Sequence, residues 1–259
     1  MPALDGKVAL VTGASRGIGE EIAARFAREG AAVAVTARTV KEGDNVFAGS
    51  LSTTVASIVD GGGTALAIAA DLGSAEDRER VVATTEAELG PIDVLVNNAA
   101  VTYFEPVVAF SERHYELMFE VQVRAPFALA QLVVPGMQAR GSGWILNISS
   151  GAAVHPQGPP FRTLGGGTVY GMCKAALERF TTGLAAEVFD QGIVVNALSP
   201  SGLVLTPGVL HHKLDQFTPP ERVEPVEIMA DAALALCTGS LTGRVTYAKL
   251  ILRELGLLS

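Results

Sequence analysis

The sequence predicts an α/β fold with three layers, a doubly wound parallel sheet covered by helices on both faces, in one domain spanning 1–259. Two observations carry that prediction. Short runs of Val, Ile and Ala alternate with helix-period segments along the chain, and the runs are continuously apolar, as in strands buried on both faces. No Pro-, Gly- or Ser-rich linker, composition shift, internal repeat or low-complexity tract divides them.

Taken in order, KVALVTG reads as a strand followed by the helix GEEIAARFAREG. AAVAVTAR leads through a polar loop at 39–50 to the helix STTVASIVDGGG, and ALAIAADL precedes the helix AEDRERVVATTEAELG. IDVLVNNAA is followed by a long helix around 112–139, GWILNISS by a helix beginning at Tyr170, and GIVVNALSP by the last strand candidate, RVTYAKLI. Segments 151–169 and 201–220 follow strand ends. Ligands in open α/β sheets bind beyond the carboxyl ends of strands, so these segments are expected to be a substrate loop and a lid.

Hydrophobic residues make up 49% of the 259 residues and charged residues 18%, which suits a compact enzyme-like domain rather than a disordered chain. A formal net charge of -8 gives no electrostatic footprint for nucleic acid or an anionic membrane surface, and neither partner is expected. MPALDGKVALVTG lacks the basic start and apolar stretch of a signal peptide, and no uninterrupted apolar run reaches membrane-span length. Cys173 and Cys237 make no disulfide framework, which fits a reducing compartment, so a cytoplasmic protein is expected.

VTGASRGIG places Gly13, Gly17 and Gly19, with Ser15, Arg16 and Ile18 among them, between the first strand and the first helix. Glycine there allows a tight turn and a close backbone approach to a pyrophosphate at a helix N-terminus. At the end of the second strand an NAD enzyme would carry an acid for the ribose 2′-OH, whereas this chain has Ala37 and then Arg38. Arginine forks match a 2′-phosphate, so NADP(H) is the preferred cofactor and NAD(H) the alternative. Tyr170 and Lys174 are four residues apart and share one helix face. His211-His212 has no ligand set at metal spacing around it, and no metal is expected.

The glycine loop, NNAA at 97–100, a serine after the fifth strand and Y-x-x-x-K occur in that order. On these the chain resembles the short-chain dehydrogenase/reductase family, from Lys7 to about Val245. The resemblance implies a Rossmann-type fold, a homo-oligomer (tetramer or dimer), and hydride transfer between a secondary alcohol and a ketone or aldehyde. It also implies that Asp71 and Leu72 meet the adenine, that Asn98, Ala99 and Ala100 line the cofactor channel, and that Pro200, Gly202, Val204 and Thr206 contact the nicotinamide side. Ser150 matches the catalytic serine, and Tyr170 and Lys174 the acid/base pair, with Lys174 also holding ribose hydroxyls. The chemistry agrees. A free phenol titrates near pH ~10, a neighbouring ammonium favours the phenolate, and a serine hydroxyl stabilises charge on the substrate oxygen.

Three departures accompany the resemblance. Gln122 stands in the relay position where the family usually has asparagine, one methylene shorter. Segment 151–169 is longer than usual, and Ser201 interrupts the common Pro-Gly step. The loop at 39–50 resembles hydroxysteroid-dehydrogenase-like members. Phe161, Leu164, Leu205, Leu210 and Phe217 are candidates to line a lipophilic substrate pocket, and Arg162 is either an anion contact or a surface charge. The alternative to an active oxidoreductase is a dinucleotide-binding regulatory protein without turnover, motivated by Gln122 and Ser201.

Overall fold

The computed structural model describes residues 2–161 and 165–258, with Phe217 described by its backbone alone. Among these, β1 (Val8–Thr12), β2 (Ala32–Ala37), β3 (Thr64–Ala69), β4 (Val94–Asn97), β5 (Gly143–Ile148), β6 (Ile193–Ser199) and β7 (Val245–Tyr247) form one sheet. The order is β3-β2-β1-β4-β5-β6-β7 and every pairing is parallel. Strand order reverses at β1, which pairs β2 on one side and β4 on the other. A crevice therefore opens beyond the carboxyl ends of β1 and β4.

Strand alternation divides the core in two. Ala9, Val11, Val33, Val35, Val94 and Val96 face α1 (Gly17–Arg28), α2 (Leu51–Asp60) and, later in the chain, α8 (Val226–Thr238) and α9 (Ala248–Glu254). Val8, Leu10, Ala34, Leu95, Ile145 and Val195 face α3 (Ala75–Glu88), α5 (Ala125–Arg140) and α6 (Thr168–Glu187). Each fully buried Val, Leu or Ile contributes roughly 1.5–3 kcal/mol, so two sealed faces explain the unbroken apolar runs.

The exception is β3, where Thr64, Ala67 and Ala69 are exposed because the strand is the sheet edge. Another departure from the sequence expectation lies at the carboxyl end. RVTYAKLI is not one strand: β7 stops at Tyr247, and the good helix formers of AKLILRE continue as α9.

The helix expected around 112–139 runs Glu112–Arg140 and is long and apolar enough, by length and composition, to cross a bilayer. Here Leu129, Val133 and Met137 pack it on the sheet. Between α4 (Glu112–Phe119) and α5 it loosens into a π turn, Glu120–Arg124, which turns Gln122 into the protein.

Candidate active site

The chain leaves β1 through Gly13 and Gly17, at φ of 64° and 63°, a region that costs side-chain-bearing residues strain. A Cβ on Gly13 would lie 2.7 Å from Ala99 Cα, so the turn packs directly on the end of β4. Asn98 Nδ2 closes the seam by donating to the carbonyls of Thr12 (2.9 Å) and Gly13 (3.0 Å). Thr12 Oγ1 accepts from the amides of Asn98 and Ala99 at 2.9 and 3.1 Å.

The first turn of α1 has no side-chain cap, which leaves its amides for an anion. Uncapped amides beside a cradle that a Cβ would fill fit a dinucleotide pyrophosphate. Gly13, Ser15, Arg16, Gly17 and Ile18 line the resulting cleft, of about 1540 Å³, together with Arg38, Asp71, Leu72, Asn98, Ala99 and Ala100. Gly19 sits behind it, where a Cβ would meet Asn98 Nδ2 at 2.3 Å. Arg16 is held by the 39–50 loop: its Nη2 donates to Gly49 O (2.7 Å), and its guanidinium lies 5.4 Å from the centre of the Phe47 ring.

At the other end of the cleft, β5 delivers Ser150 and α6 delivers Tyr170 and Lys174. Ser150 and Tyr170 line the same end of the cleft, near enough for the serine side chain to act on the phenol. Lys174 is buried, donates from Nζ to Ile148 O (2.9 Å), and holds its ammonium 5.6 Å from the Tyr170 ring centre. Burial pushes the Tyr170 phenol up, with the Ser150 side chain pulling the other way. Desolvation is thus the largest influence on the phenol. Burial likewise lowers Lys174 from 10.5 to about 8, with Cys173 and Glu178 opposing it.

Gln122 is buried behind the cleft rather than lining it. Its Nε2 donates to Val101 O (2.8 Å), while Oε1 has no partner. Pro200, Gly202, Val204 and Thr206 do line the cleft. Ser201 is built into that strap, with its amide donating to Glu224 Oε1 (3.3 Å) and its Oγ accepting from the Lys249 amide (2.8 Å). Thr206 Oγ1 caps α7 (Pro207–His211) by accepting from Val209 N at 3.3 Å.

The expected apolar lining is corrected. Phe161, Leu205 and Leu210 are 66%, 49% and 50% exposed and lie outside the cleft. The turns before Phe161, the irregular strap at Leu205 and α7 leave them facing solvent, and their spacing in the sequence could not reveal that. Arg162 and Leu164 fall outside the described residues, as does the Phe217 side chain. The apolar wall comes instead from Val101, Tyr103, Phe104, Val154, Met172 and Tyr247.

Sequence reasoning also missed a row of rings across the cleft. Phe104 meets Tyr170 edge-on at 6.0 Å and His212 at 5.0 Å, His212 meets His211 at 5.2 Å, and His211 meets Phe47 at 5.0 Å. The only signal was the aromatic pair Tyr103-Phe104 just after NNAA. Among the described residues no group of three His, Cys, Asp or Glu side chains is placed to hold a metal.

A reversed parallel sheet, an uncapped helix over a glycine cradle, and a Ser–Tyr–Lys cluster on the same crevice define a dinucleotide-binding oxidoreductase. The short chain dehydrogenase family model matches residues 7–214, and the chain belongs to that family. The "Short chain dehydrogenase MYCFIDRAFT_6125" of Pseudocercospora fijiensis is 37% identical over 202 residues, 77% of this chain and 60% of that protein, so the match spans about three-fifths of that relative's length. The 7alpha-hydroxysteroid dehydrogenase of Escherichia coli is 34% identical over 245 residues, 91% of this chain and 88% of that one. A solved chain from Beutenbergia cavernae, described as a candidate NAD(P) dependent gluconate 5-dehydrogenase with NADP bound at low occupancy, superposes with a TM-score of 0.81 at 32% identity, covering 96% of this chain and 97% of its own.

Proposed function

We propose that the chain is an NADP(H)-dependent oxidoreductase that interconverts a lipophilic secondary alcohol and its ketone or aldehyde, with Tyr170 as general acid/base. The observation that carries the reading is the grouping of Ser150, Tyr170 and the buried Lys174 at the end of a cleft that opens on the glycine cradle. NADP(H), when bound, supplies or takes up the hydride.

The protein's own residues do the rest. Ser150 donates to the substrate oxygen and stabilises the charge that gathers there. Tyr170, held as the neutral phenol by burial, is in the form that gives its proton to that oxygen in the reductive direction. Lys174 anchors α6 to β5 through Ile148 O and presents a cation beneath the Tyr170 ring, which offsets negative charge on the phenol oxygen. Arg16 and Arg38 at the adenosine end support NADP(H) over NAD(H). The wall of Tyr103, Phe104, Met172 and Tyr247 supports a lipophilic substrate.

The cysteines Cys173 and Cys237, both buried thiols, support a cytoplasmic setting. Half-exposed Phe127, paired with Phe180 at 5.8 Å across α5 and α6, supports association of copies through those helices.

The test is a panel of ketones and alcohols with NADPH, NADH and their oxidised forms, run with wild type and Tyr170→Phe. Turnover with NADPH that Tyr170→Phe abolishes, while NADPH affinity holds, is expected. A Tyr170→Phe variant that keeps most of the rate removes the mechanism. Absence of turnover across the panel turns the reading to the regulatory alternative.

A further inference from the structure

Helix α6 meets the end of β5 through four successive residues, the last two just past the strand. Asn147 Nδ2 donates to Thr181 Oγ1 (2.8 Å), and Ile148 O accepts from Lys174 Nζ (2.9 Å). Ser149 Oγ donates to Glu178 Oε1 (2.6 Å), and Ser150 shares the cleft with Tyr170. Two of these helix residues belong to the reaction centre already described, and Thr181 is a buried neutral strut. Glu178 is unaccounted for. It lies one turn after Lys174 and two after Tyr170, so the three form one stripe. Its partner Ser149 is buried, with its amide committed to Leu198 O (2.9 Å). The carboxylate therefore pins the residue next to Ser150 between β6 and α6.

We propose that Glu178 is a positioning residue of the reaction centre: it clamps Ser149 so that Ser150 stays in reach of Tyr170, and it keeps a negative charge one turn from the Lys174 ammonium. This rests on the oxidoreductase reading above. The groups acting on Lys174 are Cys173 and Glu178 from its own helix and the Ile148 carbonyl from β5. Those around Glu178 are Ser149, just past β5, and the Tyr247 phenol at the end of β7, which burial pushes up first and the Glu178 charge second. Burial drives Lys174 down to about 8 and Glu178 opposes the drop.

Three variants separate the two links. Glu178→Gln keeps an acceptor for Ser149 and removes the charge, Ser149→Ala keeps the charge and removes the bond, and Glu178→Ala removes both. Lys174 is titrated in the cofactor-free protein by NMR of 13C-labelled lysine, its signal assigned by loss in Lys174→Arg. It is expected to titrate at lower pH in Glu178→Gln than in wild type, and unchanged in Ser149→Ala.

With NADPH and 1-phenyl-1,2-propanedione as the probe, Ser149→Ala and Glu178→Ala should lower kcat roughly tenfold, as expected for a lost charge-assisted hydrogen bond, with NADPH affinity nearly constant. The alkaline limb of the Glu178→Gln rate profile should move to lower pH. An unmoved Lys174 titration in Glu178→Gln, together with wild-type kcat in Ser149→Ala, overturns the proposal. Tyr170→Phe runs alongside: if it stays active the underlying reading fails, whereas if it is dead while the Glu178 and Ser149 variants match wild type, only this inference fails.

Discussion

Replacing Gln122 by asparagine restores the residue usual in the family at this position, yet the structure predicts a loss of stability. The Gln122 amide reaches Val101 O at 2.8 Å from inside the π turn. Removing one methylene withdraws the donor by about 1.5 Å, the length of a C–C bond, which takes the contact past hydrogen-bonding range. The lost methylene costs about 1 kcal/mol, and the amide and carbonyl left without each other cost about 1–3 kcal/mol. The sum is about 2–4 kcal/mol, or a fall in melting temperature of about 5–10 °C for a chain of this size. Val101 opens the segment that carries Phe104 to the Tyr170 ring, so kcat/KM should fall with stability. Thermal melts at pH 7 by circular dichroism, with NADPH-linked rates on the same preparations, decide the matter. An asparagine variant that melts at or above the wild-type temperature refutes the argument, because it would mean that the Val101 contact is worth nothing.

Two further outcomes follow from the same geometry. Gly13→Ala should weaken NADPH binding at least tenfold by fluorescence titration, because the residue sits at a φ of 64° and its Cβ would press within 2.7 Å of Ala99 Cα. Lys174→Met should abolish turnover without lowering the melting temperature at pH 7. A fall from 10.5 to about 8 corresponds to about 3 kcal/mol of destabilisation at neutral pH, which matches or exceeds the roughly 1–3 kcal/mol lost when Ile148 O forfeits its donor. The sign follows from a lysine depressed on folding: between about pH 8 and 10.5 the unfolded chain binds the extra proton, so wild-type stability should rise relative to Lys174→Met across that window. Melts at pH 7 and pH 10 check it.

What was legible in the chain was what chemistry compresses into short segments. A glycine turn states its backbone needs within a few residues, Tyr170 and Lys174 state theirs within one helical turn, and continuous apolar strands announce a sheet buried on both faces. The row of rings was not legible, because Phe47, Phe104, Tyr170 and the two histidines belong to four separate segments brought together only by the crevice. Nor could hydrophobicity distinguish Val204, which is buried in the strap, from Leu205, which faces solvent one residue later. The Ser201 departure looked disruptive as sequence. In the fold it is absorbed by the buried Glu224 and by the Lys249 amide in the first turn of α9, two partners that lie 23 and 48 residues away.

Arg38 drew the cofactor argument from the sequence, but the fold shifts weight to Arg16. Arg38 is exposed at the end of β2. Arg16 is restrained twice, by its bond to Gly49 O and by the Phe47 ring, and burial lowers its pKa while Glu42 and Glu20 oppose the drop. An arginine already held in place loses less side-chain entropy when it meets an anion than one swinging in solvent, a difference of up to about 1.5 kcal/mol. On the reading proposed above, discrimination for a 2′-phosphate then resides as much in the 39–50 loop that holds Arg16 as in the end of the second strand. That loop also touches α7 and its end, through Phe47 and His211, and His212 there touches Phe104 beside Tyr170. The length of the 39–50 loop, which as sequence pointed only to a resemblance, thus has a physical use: it spans the distance from Arg16 beside the glycine turn to the histidines that meet Phe104.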